Sequence, residues 1–125
     1  MVYLSLCIHN HQPAGNFDFV LKDAYKQSYW PFLKTLSRYP SIKLTLHNSG
    51  YLLDWMAKNR PEYIELLATM VDRGQVEVMG GGFYEPILPV IPDEDRVGQI
   101  SLMSERIELM LGRKPKGMWL AERVW

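Results

Sequence analysis

Residues 2–13 read VYLSLCIHNHQP. The run from Val2 to Ile8 is apolar and ends in a polar loop, a pattern that predicts a buried strand. Alternation gives the strand two faces, Val2, Leu4, Leu6 and Ile8 on one and Tyr3, Ser5, Cys7 and His9 on the other. One apolar face and one mixed face suit a barrel wall whose inner side ends in chemistry. HNHQPAGN follows and is a loop by its Pro, Gly and Asn content. Cys7, in apolar company, is expected to be an inert buried thiol.

The rest of the chain repeats this alternation. A helical pattern covers residues 19–36 in two pieces, with Pro31 in the first turn of the second, where a missing N–H costs little. Residues 42–46 predict a second strand, running into His47-Asn48-Ser49-Gly50. Residues 51–58 predict a short helix, and Pro61 starts another that ends near Asp72 with Gly74 as its stop. Residues 76–79 predict a third strand, followed by Gly80, Gly81 and Gly82. Pro92-Asp93-Glu94-Asp95 starts a helix, since acids in the first turn favour the helix dipole. That helix runs to Leu111, with Gly112 beyond it. Residues 118–121 predict a fourth strand. The order argues for an α/β fold with a parallel sheet of about four strands, either doubly wound or a barrel.

In such folds chemistry collects just past the C-terminal ends of the strands. Those ends carry His9-Asn10-His11, His47-Asn48, the loop 80–85, and Glu122-Arg123. All 3 histidines of the chain are there, which points to one shared mouth.

Composition excludes several classes. With 47% hydrophobic and 22% charged residues in 125, the chain is an ordinary globular domain with a real core. Lys plus Arg and Asp plus Glu balance at 14 each, so no electrostatic footprint for nucleic acid or an anionic membrane exists. One cysteine rules out an intrachain disulfide framework. No segment approaches the ~20 apolar residues that span a bilayer. The start lacks a basic region and a cleavage site, so no signal peptide is expected there, and a cytoplasmic location is expected.

Each constellation has a functional and a structural reading. His9-x-His11 suits zinc binding, with His47 or an acid as a third ligand. It equally suits hydrogen bonds to a polar ligand, or loop capping. Glu77 lies between two valines and is costly to bury alone. It either pairs with a base such as Arg123 or accepts hydrogen bonds from substrate hydroxyls in a cavity. GGGFYE at 80–85 lacks the ending of a phosphate loop. Its glycines suggest tight backbone or close approach to a ligand. Phe83 and Tyr84 offer flat faces suited to sugar rings, or fill the core. Glu122, flanked by Trp119 and Trp125, is either a rim ion pair with Arg123 or a nucleophile or base on a rigid strand end, held ionised by that arginine.

Together these stretches resemble a known family. HNHQP at 9–13, GQVEVMGGGFYEP at 74–86 and WLAERVW at 119–125 are similar, in order and separation, to the first three motifs of glycoside hydrolase family 57. HNSGYLLDW at 47–55 and IPDEDR at 91–96 resemble its amylolytic members. The resemblance spans essentially the whole chain and looks closest to the 4-α-glucanotransferase and α-amylase branch. It implies the N-terminal portion of a parallel (β/α)7-type barrel and retaining chemistry on α-1,4-glucans or maltooligosaccharides. It implies Glu122 as catalytic nucleophile, with His9, His11, Glu77, Trp119 and Tyr84 as substrate-binding residues. It implies no cofactor and no metal. Retaining enzymes need a second carboxyl ~5–5.5 Å from the nucleophile. The family's acid/base is an aspartate of the fourth motif, so residues 1–125 are expected to be the first part of a catalytic barrel, inactive alone. The alternatives are a metal-dependent barrel hydrolase of the deacetylase or amidohydrolase kind, and a non-catalytic carbohydrate-binding remnant.

Overall fold

A computed structural model, describing residues 1–125, places the first strand, β1, at Cys7–Asn10. β1 pairs in parallel with β2, Leu44–Asn48, which pairs in parallel with β3, Val76–Val78. β4, Gly80–Gly81, pairs in parallel with β5, Met118–Trp119. β3 and β4 are consecutive stretches of one extended segment. The Met79 N–H donates to Leu46 O at 2.9 Å on one side, and the Gly80 N–H donates to Gly117 O at 2.9 Å on the other. The strands therefore lie side by side in chain order, the sequence of a barrel wall and not of a doubly wound sheet.

β1 starts five residues later than the apolar run predicts. Its partner explains this: β2 begins only at Leu44, whose N–H already bonds Gln75 O on the far side. Leu6 O still accepts the Thr45 N–H at 2.9 Å, but the residues before it run past the start of β2, and Met1 to Leu4 are exposed.

Five helices connect the strands. α1, Asp18–Ala24, runs through a π-helical turn, Tyr25–Tyr29, into α2, Trp30–Leu36. Pro31 lies in the first turn of the second piece, as the sequence suggests, and the two pieces are joined without a break by the π turn. The Trp30 N–H reaches back to Tyr25 O, and the wider π turn absorbs the hydrogen bond that proline cannot make. α3 spans Gly50–Asn59 and α4 Pro61–Asp72, while α5 spans Asp93–Leu111 and ends on Gly112 at φ +74°. That left-handed residue closes the helix with an N–H bond to Glu108 O. No helix is long and apolar enough to cross a membrane.

Register sets the two faces of the sheet. Ile8, Leu46 and Val78 share a row, as do Leu44 and Val76. This face packs on the helices, where Leu52, Tyr63, Leu67 and Met103 are fully buried. Each such side chain contributes roughly 1.5–3 kcal/mol by leaving water. The opposite face carries Cys7, Thr45 and Glu77 in one row and His9 beside His47 in the next. No helix covers it, so Cys7 is exposed rather than buried as expected. Strand parity, not local hydrophobicity, decides that outcome.

Candidate functional site

The site begins where β1 and β2 end. His9 and His47 are register partners, so both rings project from the same face, 5.0 Å apart between centroids. Their Nδ1 atoms are 2.8 Å apart. Behind them, on the helix side, Asn10 Nδ2 donates to Asn48 Oδ1 at 2.9 Å, and the Tyr63 hydroxyl donates to the same oxygen at 3.3 Å. These buried bonds lock the two strand ends to α4.

His11 follows in the loop, with its ring 5.9 Å from that of His9. The loop is fastened from two sides. The Tyr29 hydroxyl, delivered by the π turn, donates to His11 O at 3.2 Å and accepts from Gln12 Nε2 at 2.9 Å. Ser49 Oγ accepts from the Gln12 N–H at 3.3 Å.

Glu85 joins the histidines from the loop after β4. Its backbone is left-handed at φ +52°, and its side chain is only 7% exposed. Oε2 is hydrogen-bonded to His11 Nδ1, while Oε1 lies 3.5 Å from His9 Nε2 and 3.7 Å from His47 Nδ1. Trp119 completes the cluster from β5, stacking on His9 at 4.2 Å and 10°. Gly81 makes room for this. It holds φ +146°, and a Cβ there would lie 2.8 Å from Trp119 O and 3.5 Å from His47 Nε2. Of the two sequence readings, tight backbone or close approach to a ligand, the glycine run serves the first, letting the protein's own β5 come close.

Burial keeps the inner rings neutral. His47 is pushed down to about 3, chiefly by desolvation and then by repulsion from His9 and His11. His9 is also lowered, again chiefly by desolvation, with Glu85 opposing. At neutral pH their contacts with Glu85 are therefore polar contacts of neutral rings rather than ion pairs. His9, His11 and Glu85 also offer metal-ligand atoms within 4.8 Å of one another. Here His11 and Glu85 satisfy each other directly, and a zinc ion would need about 2.0–2.2 Å to each.

Of the residues singled out in sequence, His9, His11 and Trp119 come together. Glu77 does not join them. It shares their face but sits one row nearer the strand starts, exposed, beside Thr45. None of the chain's close acid–base contacts involves Glu77, Glu122 or Arg123, so neither expected arginine pair forms. Glu122 and Arg123 are exposed and left-handed, at φ +54° and +55°. Of the two loop aromatics, Phe83 is core, and its carbonyl accepts the Gly50 N–H at 3.0 Å. Tyr84 is 55% exposed and lines a cleft of about 400 Å³ with Tyr51, Asp54 and Trp55.

Sequence reasoning gave Glu85 no role. The readable signal was a carboxylate between an aromatic and a proline, three residues after the last of three glycines. A turn that tight carries a charged side chain inward only if partners wait for it.

Residues 5–125 match Glycosyl hydrolase family 57. The chain is 55% identical to Alpha-amylase 1 of Dictyoglomus thermophilum over 124 residues, 99% of this chain and 18% of that protein. It is 50% identical to the 4-alpha-glucanotransferase of Thermococcus kodakarensis over 125 residues, all of this chain and 19% of that one. Its fold matches the crystal structure of the 4-alpha-glucanotransferase from Thermococcus litoralis with a TM-score of 0.92 at 48% identity, covering 96% of this chain and 19% of the other.

Proposed function

The chain belongs to glycosyl hydrolase family 57, and from that premise we propose that the whole protein cleaves α-1,4-glucans with retention and passes the glycosyl unit to a sugar or to water. The chain spans 18% of the length of the Dictyoglomus relative, so the proposal concerns the full-length protein. The observation that carries it is the stacking of Trp119 on His9. That contact brings the HNHQP and WLAERVW motifs to one mouth at the C-terminal ends of parallel strands, where barrel enzymes do their chemistry.

In this reading the Glu122 carboxylate attacks the anomeric carbon as the bond to the leaving oxygen breaks. A second carboxyl, an aspartate that the family resemblance puts downstream of Trp125, protonates that oxygen. The same aspartate then deprotonates the acceptor hydroxyl, which displaces Glu122. A left-handed backbone at a non-glycine residue is the kind of local strain found at functional positions, which supports Glu122. His9 and His11 line the subsite of the scissile sugar, Trp119 and Tyr84 offer aromatic faces, and Glu77 accepts hydrogen bonds further down the inner wall. None of these roles needs a cofactor.

The test is incubation of the full-length protein with a single maltooligosaccharide. Longer and shorter products together mark transfer, and shorter ones alone mark hydrolysis. Glu122→Gln is expected to lower turnover by roughly 10⁴-fold or more while maltooligosaccharide binding persists. Unchanged turnover in that variant, or no action by the wild type on any α-glucan, rejects the proposal.

A further inference from the structure

The protons in the histidine cluster can be assigned one at a time. His47 is fully buried, and its Nε2 has no hydrogen-bond partner. That nitrogen faces Gly81, where an added Cβ would lie 3.5 Å away. A buried N–H without an acceptor is rarer and costlier than a buried lone pair, so the His47 proton sits on Nδ1. His47 Nδ1 lies 2.8 Å from His9 Nδ1, and only one of the two can carry the hydrogen between them. His47 therefore donates and His9 accepts. The His9 proton is then on Nε2, 3.5 Å from Glu85 Oε1, a buried oxygen that no hydrogen bond satisfies. As a carboxylate Glu85 only accepts, so His11 Nδ1, bonded to its Oε2, must be the donor. A singly protonated His11 is then left with a bare lone pair on Nε2, on a side chain that is 44% exposed.

We infer that Glu85 is a positioning residue that fixes the proton of His11 on Nδ1, and so turns His11 Nε2 into a hydrogen-bond acceptor for a substrate hydroxyl. The inference rests on the glucan reading for the nature of that hydroxyl, which belongs to a sugar. It explains why a carboxylate with a 7% exposed side chain is held on a left-handed backbone. A free histidine side chain favours the opposite tautomer, with the proton on Nε2, and would present a donor at the same place. A ring that could offer either would discriminate poorly between a hydroxyl hydrogen and a lone pair. The lowered proton affinities of His9 and His47 agree with single protonation of both rings.

The experiment uses the full-length protein with ¹⁵N-labelled histidine, in wild type and in Glu85→Gln. The expected wild-type spectrum has His11 protonated at Nδ1, and in Glu85→Gln the proton moves to Nε2. The kcat/KM for a maltooligosaccharide is expected to fall roughly 10- to 100-fold, the effect of leaving a substrate hydroxyl without its acceptor. A double-mutant cycle separates positioning from general damage. His11→Gln places a carbonyl oxygen near the Nε2 position, an acceptor that needs no tautomer. In that background Glu85→Gln is expected to cost no more than a few-fold.

A wild-type His11 proton on Nε2 overturns the inference, as does a full Glu85→Gln loss in the His11→Gln background. So does a stoichiometric divalent metal that Glu85→Gln releases, since Glu85 would then be a ligand. If Glu85→Gln does not fold, the wild-type spectrum alone decides. The expected ring protonation without turnover on any maltooligosaccharide rejects the glucan reading and upholds the hold of Glu85 on His11.

Discussion

Glu85 and Glu122 share an uncommon backbone and little else. Both are left-handed, at φ +52° and +54°, a conformation that costs a non-glycine residue roughly 1–2 kcal/mol. The Glu85 side chain is buried and met by three imidazoles. Glu122 is exposed, and its side chain meets no base of the chain. In the first turn, strain is offset locally by the contacts it makes possible. In the second it is not, and the carboxylate stays free for something outside these residues. The same backbone device thus holds one glutamate in place and presents another.

The largest expected effect lies on the buried side of this comparison. His47 in the folded protein is at about 3, against an ordinary value of 6.5. Below 6.5 the unfolded chain takes up a proton that the folded one refuses. The contribution of His47 is thus complete above 6.5 and lost as pH falls toward 3. Urea unfolding of the full-length protein should lose about 1.4 kcal/mol per pH unit over that window, and His47→Gln should remove that component of the slope. An identical slope in the variant would mean that the ring is not held neutral.

Glycine substitution tests the two turns directly, because it relieves the backbone equally in both. Glu85→Gly should destabilise by roughly 2 kcal/mol, since the imidazoles around the buried carboxylate lose their partner. Glu122→Gly should be neutral or stabilising by up to about 1 kcal/mol, while removing turnover. Equal signs in urea unfolding would erase the contrast. The smallest effect belongs to Glu77. It is exposed and unpaired, so Glu77→Gln should change stability by no more than about 0.5 kcal/mol. A larger loss would place it in a structural contact, whereas a fall in kcat/KM alone would sharpen its role on the inner wall.

The legible and illegible parts of the sequence divide along a similar line. α4 and α5 lie where their proline and acidic starts and glycine stops put them, because those signals act within one turn of helix. The shared histidine mouth was legible because strand ends are. Glu85 was not, for its partners lie 74 residues away at His11 and 38 residues away at His47. Cys7 misled because the face that helices cover is a tertiary choice. The glycines told of close approach but not of what approaches, since Trp119 is 38 residues from Gly81.

Those separations also bear on the order in which the molecule assembles. His9 and His47 meet across 38 residues, and Glu85 reaches His11 across 74. Contacts of that span close slowly, after helices such as α4 have nucleated and found their strands. The mouth is then among the last parts of the fold to be completed and the first to be undone. Changes made there should be felt in how fast the native state opens, and hardly at all in how fast it is reached.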